Sequence, residues 1–138
     1  MSQLAPLLSL PVGVVVERRQ AISPWADVIW RPVAVLGGLP DAAPWTPLAS
    51  DEKVTTFYTG AAEIELYRSE TGNYRRNLAS GAPSVWVALL VTEGDPPCEI
   101  LAVTADPAEG ESLTEPAQAI VEAVAMPEAL RDAIAAFV

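Results

Sequence analysis

Histidine is absent from the 138 residues, and cysteine occurs once, at Cys98. The first absence removes the commonest general base and the commonest metal ligand together. A Ser-His-Asp or Cys-His arrangement cannot be assembled from this chain alone. One thiol forms no intramolecular disulfide, so nothing here requires an oxidising compartment. Nor does it anchor a structural zinc site, which takes about four Cys, His or carboxylate ligands. No metal and no cofactor is expected. Bases are scarce, eight against 18 acids, for a formal net charge of −10. Nucleic-acid binding rests on clustered Lys and Arg, so no nucleic acid is expected as a partner. Long apolar runs are missing too. Ser84–Thr92 and Ala117–Pro127 fall well short of the roughly 20 residues that span a bilayer, and no membrane insertion is expected. Residues 1–10 lack the basic region and long apolar core of a secretory signal. They read as a flexible N-terminal arm on a cytoplasmic protein.

What is present describes a folded chain. Hydrophobic residues make up 51% and charged residues 19%, which excludes intrinsic disorder. The length suits one domain, residues 11–138, able to bury roughly 70% of its extended-chain surface. Thirteen prolines and eight glycines imply short elements joined by stiff turns. Charge is uneven: residues 1–91 carry eight acids and seven bases, whereas residues 92–138 carry ten acids and only Arg131. Such an acidic portion favours solubility and suits docking to a basic surface.

Val12, Val14 and Val16 alternate with Gly13, Val15 and Glu17, the period of a strand. Val28–Leu36 is β-branched and aromatic, but Pro32 cannot donate to a sheet ladder, so this strand is an edge, bulged or broken in two. The prolines of Pro40–Pro47 predict an irregular loop. Lys53–Thr59 and Glu63–Tyr67 read as a hairpin around Gly60-Ala61-Ala62, with Ile64 and Leu66 inward and Glu63, Glu65 and Tyr67 in water. Tyr74 and Leu78 are spaced for a helical turn. Ser84–Thr92 is apolar on both faces and predicts an interior strand paired to Glu99–Thr104. Asp106-Pro107-Ala108-Glu109 is a helix start: Asp106 caps, and Pro107 tolerates the first helical position. Pro116–Ala125 reads as helix, with a strand as the alternative. Leu130, Ile134 and Val138 fall four apart and mark one face of a final helix. The expected fold is α+β, a mainly antiparallel sheet of five to seven short strands with C-terminal helices.

Three groups of residues carry candidate chemistry. Trp25, Trp30 and Arg31 combine large apolar area with a guanidinium, the composition of interface hot spots. The alternative is that a tryptophan packs the core and Arg31 makes an internal ion pair. Arg68, Arg75 and Arg76 beside Tyr74 and Asn77 form the basic cluster in the middle of the chain, suited to a carboxylate or phosphate ligand. The alternative pairs these arginines with the acidic C-terminal third. Asp106, Glu109, Glu111 and Glu115 are explained by helix capping and solvation. Cys98, after the turn Asp95-Pro96-Pro97, reads as a small buried filler.

The run Pro11-Val12-Gly13-Val14-Val15-Val16-Glu17-Arg18-Arg19, with Pro24-Trp25-Ala26-Asp27 and Trp30-Arg31-Pro32-Val33-Ala34-Val35, resembles a bacterial family catalogued as domain of unknown function 3305. Tyr74, Asn77-Leu78, Val85-Trp86-Val87, Thr104-Ala105-Asp106-Pro107, Glu109 and Met126-Pro127-Glu128 also fit its pattern. The Trp25 to Pro32 segment is the specific part of that likeness. The family has no established activity, so no catalytic residue carries over. Its genes tend to lie beside those of formate dehydrogenase and its maturation factors. The resemblance thus implies a non-catalytic interaction or maturation accessory with a protein partner, either another protein or a second copy of this chain. A small-ligand or anion-binding domain built on the arginine cluster is the competing expectation.

Overall fold

The computed structural model describes residues 7–20, 28–114 and 119–138. Seven strands form two antiparallel sheets. The larger has the order β2(Val28–Leu36), β1(Leu8–Gln20), β4(Val54–Leu66), β3(Thr46–Ser50), and the smaller β6(Cys98–Thr104), β5(Ser84–Val91), β7(Ala119–Ala125). Along their borders β7 lies beside β2, and β6 beside β4. Among the described residues there are also three α-helices, α1(Thr71–Leu78), α2(Pro107–Ser112) and α3(Glu128–Phe137), and a 3-10 turn at Arg68–Glu70. This is the α+β class that the strand periodicities predict. No helix among the described residues is long and apolar enough to cross a membrane.

The alternation of β1 works as expected. Val12, Val14 and Val16 are fully buried and share one apolar cluster with Val85, Val87 and Leu89 of β5. β5 is the central strand of its sheet and pairs with β6 from Trp86↔Thr104 to Val91↔Cys98. Its second face is also used, because α2 packs against it with Gly110 directly over Trp86. Asp106 caps α2 by accepting from Ala108 N at 2.9 Å. Leu130 and Ile134 of α3 are buried, one helical turn apart.

β2 is both an edge strand and bulged. Val15 pairs with Ala34 and Val16 with Pro32, leaving Val33 as the extra residue, which lets a strand absorb a proline that lacks an N–H. The flanking strand bends at the same level. Val14 pairs with Gly60 and Val15 with Tyr58; the extra residue, Thr59, donates its hydroxyl to Val14 O at 3.0 Å.

Four expectations are corrected. Lys53–Tyr67 is not a hairpin: β4 is one strand through Gly60, whose φ of +138° accommodates the bend without reversing the chain. The segment expected as helix, Pro116–Ala125, contains β7, paired to β5 from Ser84↔Ala125 to Leu90↔Ala119; β-branched content and a waiting edge outweigh helix propensity there. The proline-rich loop ends early, since Thr46 and Pro47 already belong to β3, an edge strand where proline is tolerated. Leu8–Leu10, assigned to the flexible arm, are the first rungs of β1 and pair with Leu66, Glu65 and Ile64. Residues 1–6 of that arm lie outside the described residues.

A Cβ on Gly110 would stand 2.4 Å from Cγ of the Trp86 ring. Gly110→Ala is therefore expected to destabilise the fold by about 1–3 kcal/mol in urea unfolding. This outweighs the gain of about 1 kcal/mol that alanine brings to a helix.

Candidate interaction site

Strand alternation separates Trp30 from Arg31. Trp30 turns inward and retains 8% of its surface. Its ring meets Trp45 edge-on at 5.6 Å and Phe57 at 6.0 Å, and Trp45 and Phe57 are 5.6 Å apart. The Arg18 guanidinium stands 5.3 Å over the Phe57 ring, a cation–π contact. Neither Trp45, in a proline-rich loop, nor Phe57, on a distant strand, carries a sequence signal linking it to Trp30. Trp25 lies outside the described residues.

Arg31 points the other way, to the outer face. Glu17 holds two arginines there: Oε1 accepts from Arg19 Nε at 2.9 Å, and Oε2 lies 3.7 Å from Arg31 Nη2. Half of the Arg31 side chain remains exposed. Ile29, two residues earlier on the same face, is 51% exposed, and Val28 beside it is exposed as well. The start of β2 thus presents an apolar side chain flanked by two arginines on an edge strand.

The basic cluster is divided by its helix. Tyr74 and Asn77 face the interior, while Arg75 and Arg76 face solvent. The Tyr74 hydroxyl accepts from Tyr67 N at 2.9 Å, and its ring packs edge-on against Phe137; burial pushes its phenol pKa up. Asn77 spends its amide on the backbone. Nδ2 donates to Ser84 O at 2.7 Å and Ala105 O at 2.9 Å, and Oδ1 accepts from Ser84 N at 2.9 Å. Both amide hydrogens are engaged, which leaves no donor for an anion. Arg76 donates to the side-chain oxygen of Asn73. Arg68 and Arg75 do come together, lining a hollow of about 220 Å³ with Thr71, Phe137 and Val138. Among the described residues, the ion pairs are Arg19–Glu17 and Arg31–Glu17; none joins the cluster to the acidic C-terminal third.

Cys98 begins β6 and is 3% exposed. Burial pushes its thiol up to about 11, so it stays protonated at neutral pH, the state of a packing residue and not of a nucleophile. Asp106 is occupied in capping α2, and Glu115 lies outside the described residues. Among the described residues no three His, Cys, Asp or Glu side chains gather as metal ligands do.

Residues 11–138 match the family model described as "Protein of unknown function (DUF3305)". No curated protein and no solved structure matches the chain.

Two measurements check these assignments. Asn77→Ala strands three backbone groups where α1, β5 and β6 meet, and is expected to cost about 2–3 kcal/mol in urea unfolding. For Cys98 the folded state holds the proton more tightly than the unfolded state. Its contribution is intact below about pH 9 and is lost as pH rises towards about 11. Stability followed across that window should fall with pH, and Cys98→Val should flatten the slope.

Proposed function

The chain belongs to this family of proteins of unknown function, and we propose that it is a non-catalytic interaction protein, an accessory to the maturation or assembly of a larger enzyme. The observation that carries the reading is the start of β2, where exposed Ile29 and half-exposed Arg31 stand together on an edge strand. β2 is the outer strand of its ladder, strands at a ladder's edge are either blocked or used for pairing, and an arginine beside an apolar anchor is a common hot-spot pair. The chemistry of the chain agrees: it has no histidine, and its single thiol is buried and protonated. The resemblance to a family whose genes tend to lie beside those of formate dehydrogenase makes that enzyme and its maturation factors the first partners to try. A second copy of the chain is the other partner of this kind. The lone cysteine accords with action in the cytoplasm.

A second reading rests on one observation, the hollow shared by Arg68 and Arg75. Two guanidinium groups beside the Thr71 hydroxyl suit a small carboxylate or phosphate. Tyr74 and Asn77 contribute packing to that reading and no ligand contact.

A pulldown from the native host separates the two, through a reproducible protein partner or a co-purifying small anion. Arg31→Ala is expected to weaken partner association by about 1–3 kcal/mol, the usual loss for an arginine anchor. Its melting temperature should barely move, since the Arg31–Glu17 contact is long at 3.7 Å with Arg31 half exposed, and buried Glu17 keeps its 2.9 Å bond from Arg19. A lowered melting temperature with unchanged association in sedimentation and pulldown would make Arg31 a structural residue and remove the reading.

A further inference from the structure

Arg68, Thr71 and Arg75 follow one another at intervals of three and four residues along the 3-10 turn and the first half of α1, the spacing that lines side chains up on one helical face. They converge on the hollow of about 220 Å³, whose remaining lining is Leu7, Phe137 and Val138. Three separate parts of the fold thus build its walls, and each wall is held. Just ahead of β1, Leu7 N donates to Leu66 O at 2.9 Å. The Phe137 ring stands edge-on to buried Tyr74, with 6.2 Å between centroids. Arg75 Nη2 donates to Val138 O at 3.5 Å, a long contact that brings its guanidinium beside the end of α3.

The lining is part basic and part apolar. No Asp or Glu belongs to it. Glu70, the nearest carboxylate along the chain, accepts from Ser69 Oγ at 3.3 Å and from Asn73 Nδ2 at 3.1 Å. Among the described residues both ion pairs belong to Glu17, so neither Arg68 nor Arg75 is paired to an acidic side chain. In a chain of 18 acids and eight bases, two guanidinium groups brought together without a carboxylate repel each other, and a bound anion offsets that repulsion. The rest of the lining offers hydrocarbon: Leu7 is 55% exposed, and Phe137 and Val138 are half-buried. An inorganic phosphate would lose water against that surface without a compensating bond. A carboxylate carried on a hydrocarbon group satisfies both parts, its oxygens on the guanidinium forks and its carbons on Leu7 and Phe137. The volume is that of about seven waters, which limits the ligand to a few carbons.

We propose that this hollow binds a carboxylate borne on a short aliphatic group, supplied as a free acid or as the apolar C-terminal residue of a peptide. The proposal rests on the anion-binding reading and narrows it from anions in general to amphiphilic carboxylates. Arg68 and Arg75 take the carboxylate oxygens, Thr71 donates its hydroxyl to one of them, and Leu7 with Phe137 holds the aliphatic part.

The test titrates the full chain with 4-methylpentanoate, its neutral amide, acetyl-glycyl-leucine with a free carboxylate, and inorganic phosphate, each followed by amide NMR. The carboxylates are expected to shift amides of Leu7, Arg68–Arg75 and Phe137–Val138 saturably. They should bind at least about tenfold more tightly than phosphate, because each buried methylene is worth about fourfold in affinity. Whichever carboxylate binds more tightly identifies the source, a free acid or a peptide C-terminus. Arg68→Ala and Arg75→Ala change exposed side chains. Both should keep the fold by circular dichroism and weaken the carboxylates about tenfold. Leu7→Ser should weaken them too and leave phosphate unchanged. Equal binding of phosphate, or carboxylate binding that Leu7→Ser leaves intact, would overturn this proposal while the broader anion reading stands. Binding of no anion, binding untouched by either arginine variant, or equal binding of the amide removes both.

Discussion

Among the described residues no strand ladder joins the two sheets, and buried side chains hold them together. Val12, Val14 and Val16 of β1 and Val85, Val87 and Leu89 of β5 belong to one buried cluster, and burial of each such side chain is worth about 1.5–3 kcal/mol. Much follows from that shared core. Both sheets are small, so each needs the other to cover its apolar face. A sheet joined to its neighbour through side chains alone leaves borders at its sides. The helices then close what the sheets cannot: α2 covers the far face of β5 at Trp86, and α3 sends Leu130 and Ile134 into the same cluster.

Where polar groups enter this interior they are satisfied completely. Among the described residues no buried side-chain nitrogen or oxygen lacks a partner. Asn77 shows why. The chain leaves α1, enters β5 at Ser84 and leaves β6 at Ala105, and each place has backbone groups that no ladder reaches. One amide, with two donors and an acceptor, serves both. The same logic applies to Thr59, whose hydroxyl repairs the ladder where its own extra residue interrupts it.

The legible parts of the fold were those whose signal is local. Alternation identified β1 and the interior position of β5; Asp106-Pro107 marked the start of α2, and spacings of four marked α3. Gly60 misled because a glycine between two strand-like segments serves a bend as well as a turn, and only the continuous partner β1 decides between them. Between helix and strand for Pro116–Ala125 the sequence is undecided, because Ile120, Val121 and Val124 fit a helix face or a strand equally, and the β5 edge that decides for β7 is a long-range fact. For the candidate sites, the sequence grouped Tyr74, Arg75, Arg76 and Asn77 by proximity along the chain. A helix distributes neighbours around its axis, so two of the four went inside. Trp30 found Trp45 and Phe57 across three separate segments, which no spacing rule anticipates. Alternation alone marks Glu63 and Glu65 as a wet face, and both are exposed; that their strand borders β6 depends on how the two sheets meet.

The paired bulges at Thr59 and Val33 lie at one level of the larger sheet, on either side of β1. Sliding a strand by two residues preserves its inside–outside alternation, so hydrophobic patterning alone does not forbid the slip. Here such a slip would carry β1 past both extra residues at once. The Thr59 hydroxyl would lose Val14 O, and Pro32 would meet a rung that asks for an N–H. Two irregularities facing a common strand therefore act as a positional key, giving a valine-rich strand of repetitive sequence a single alignment.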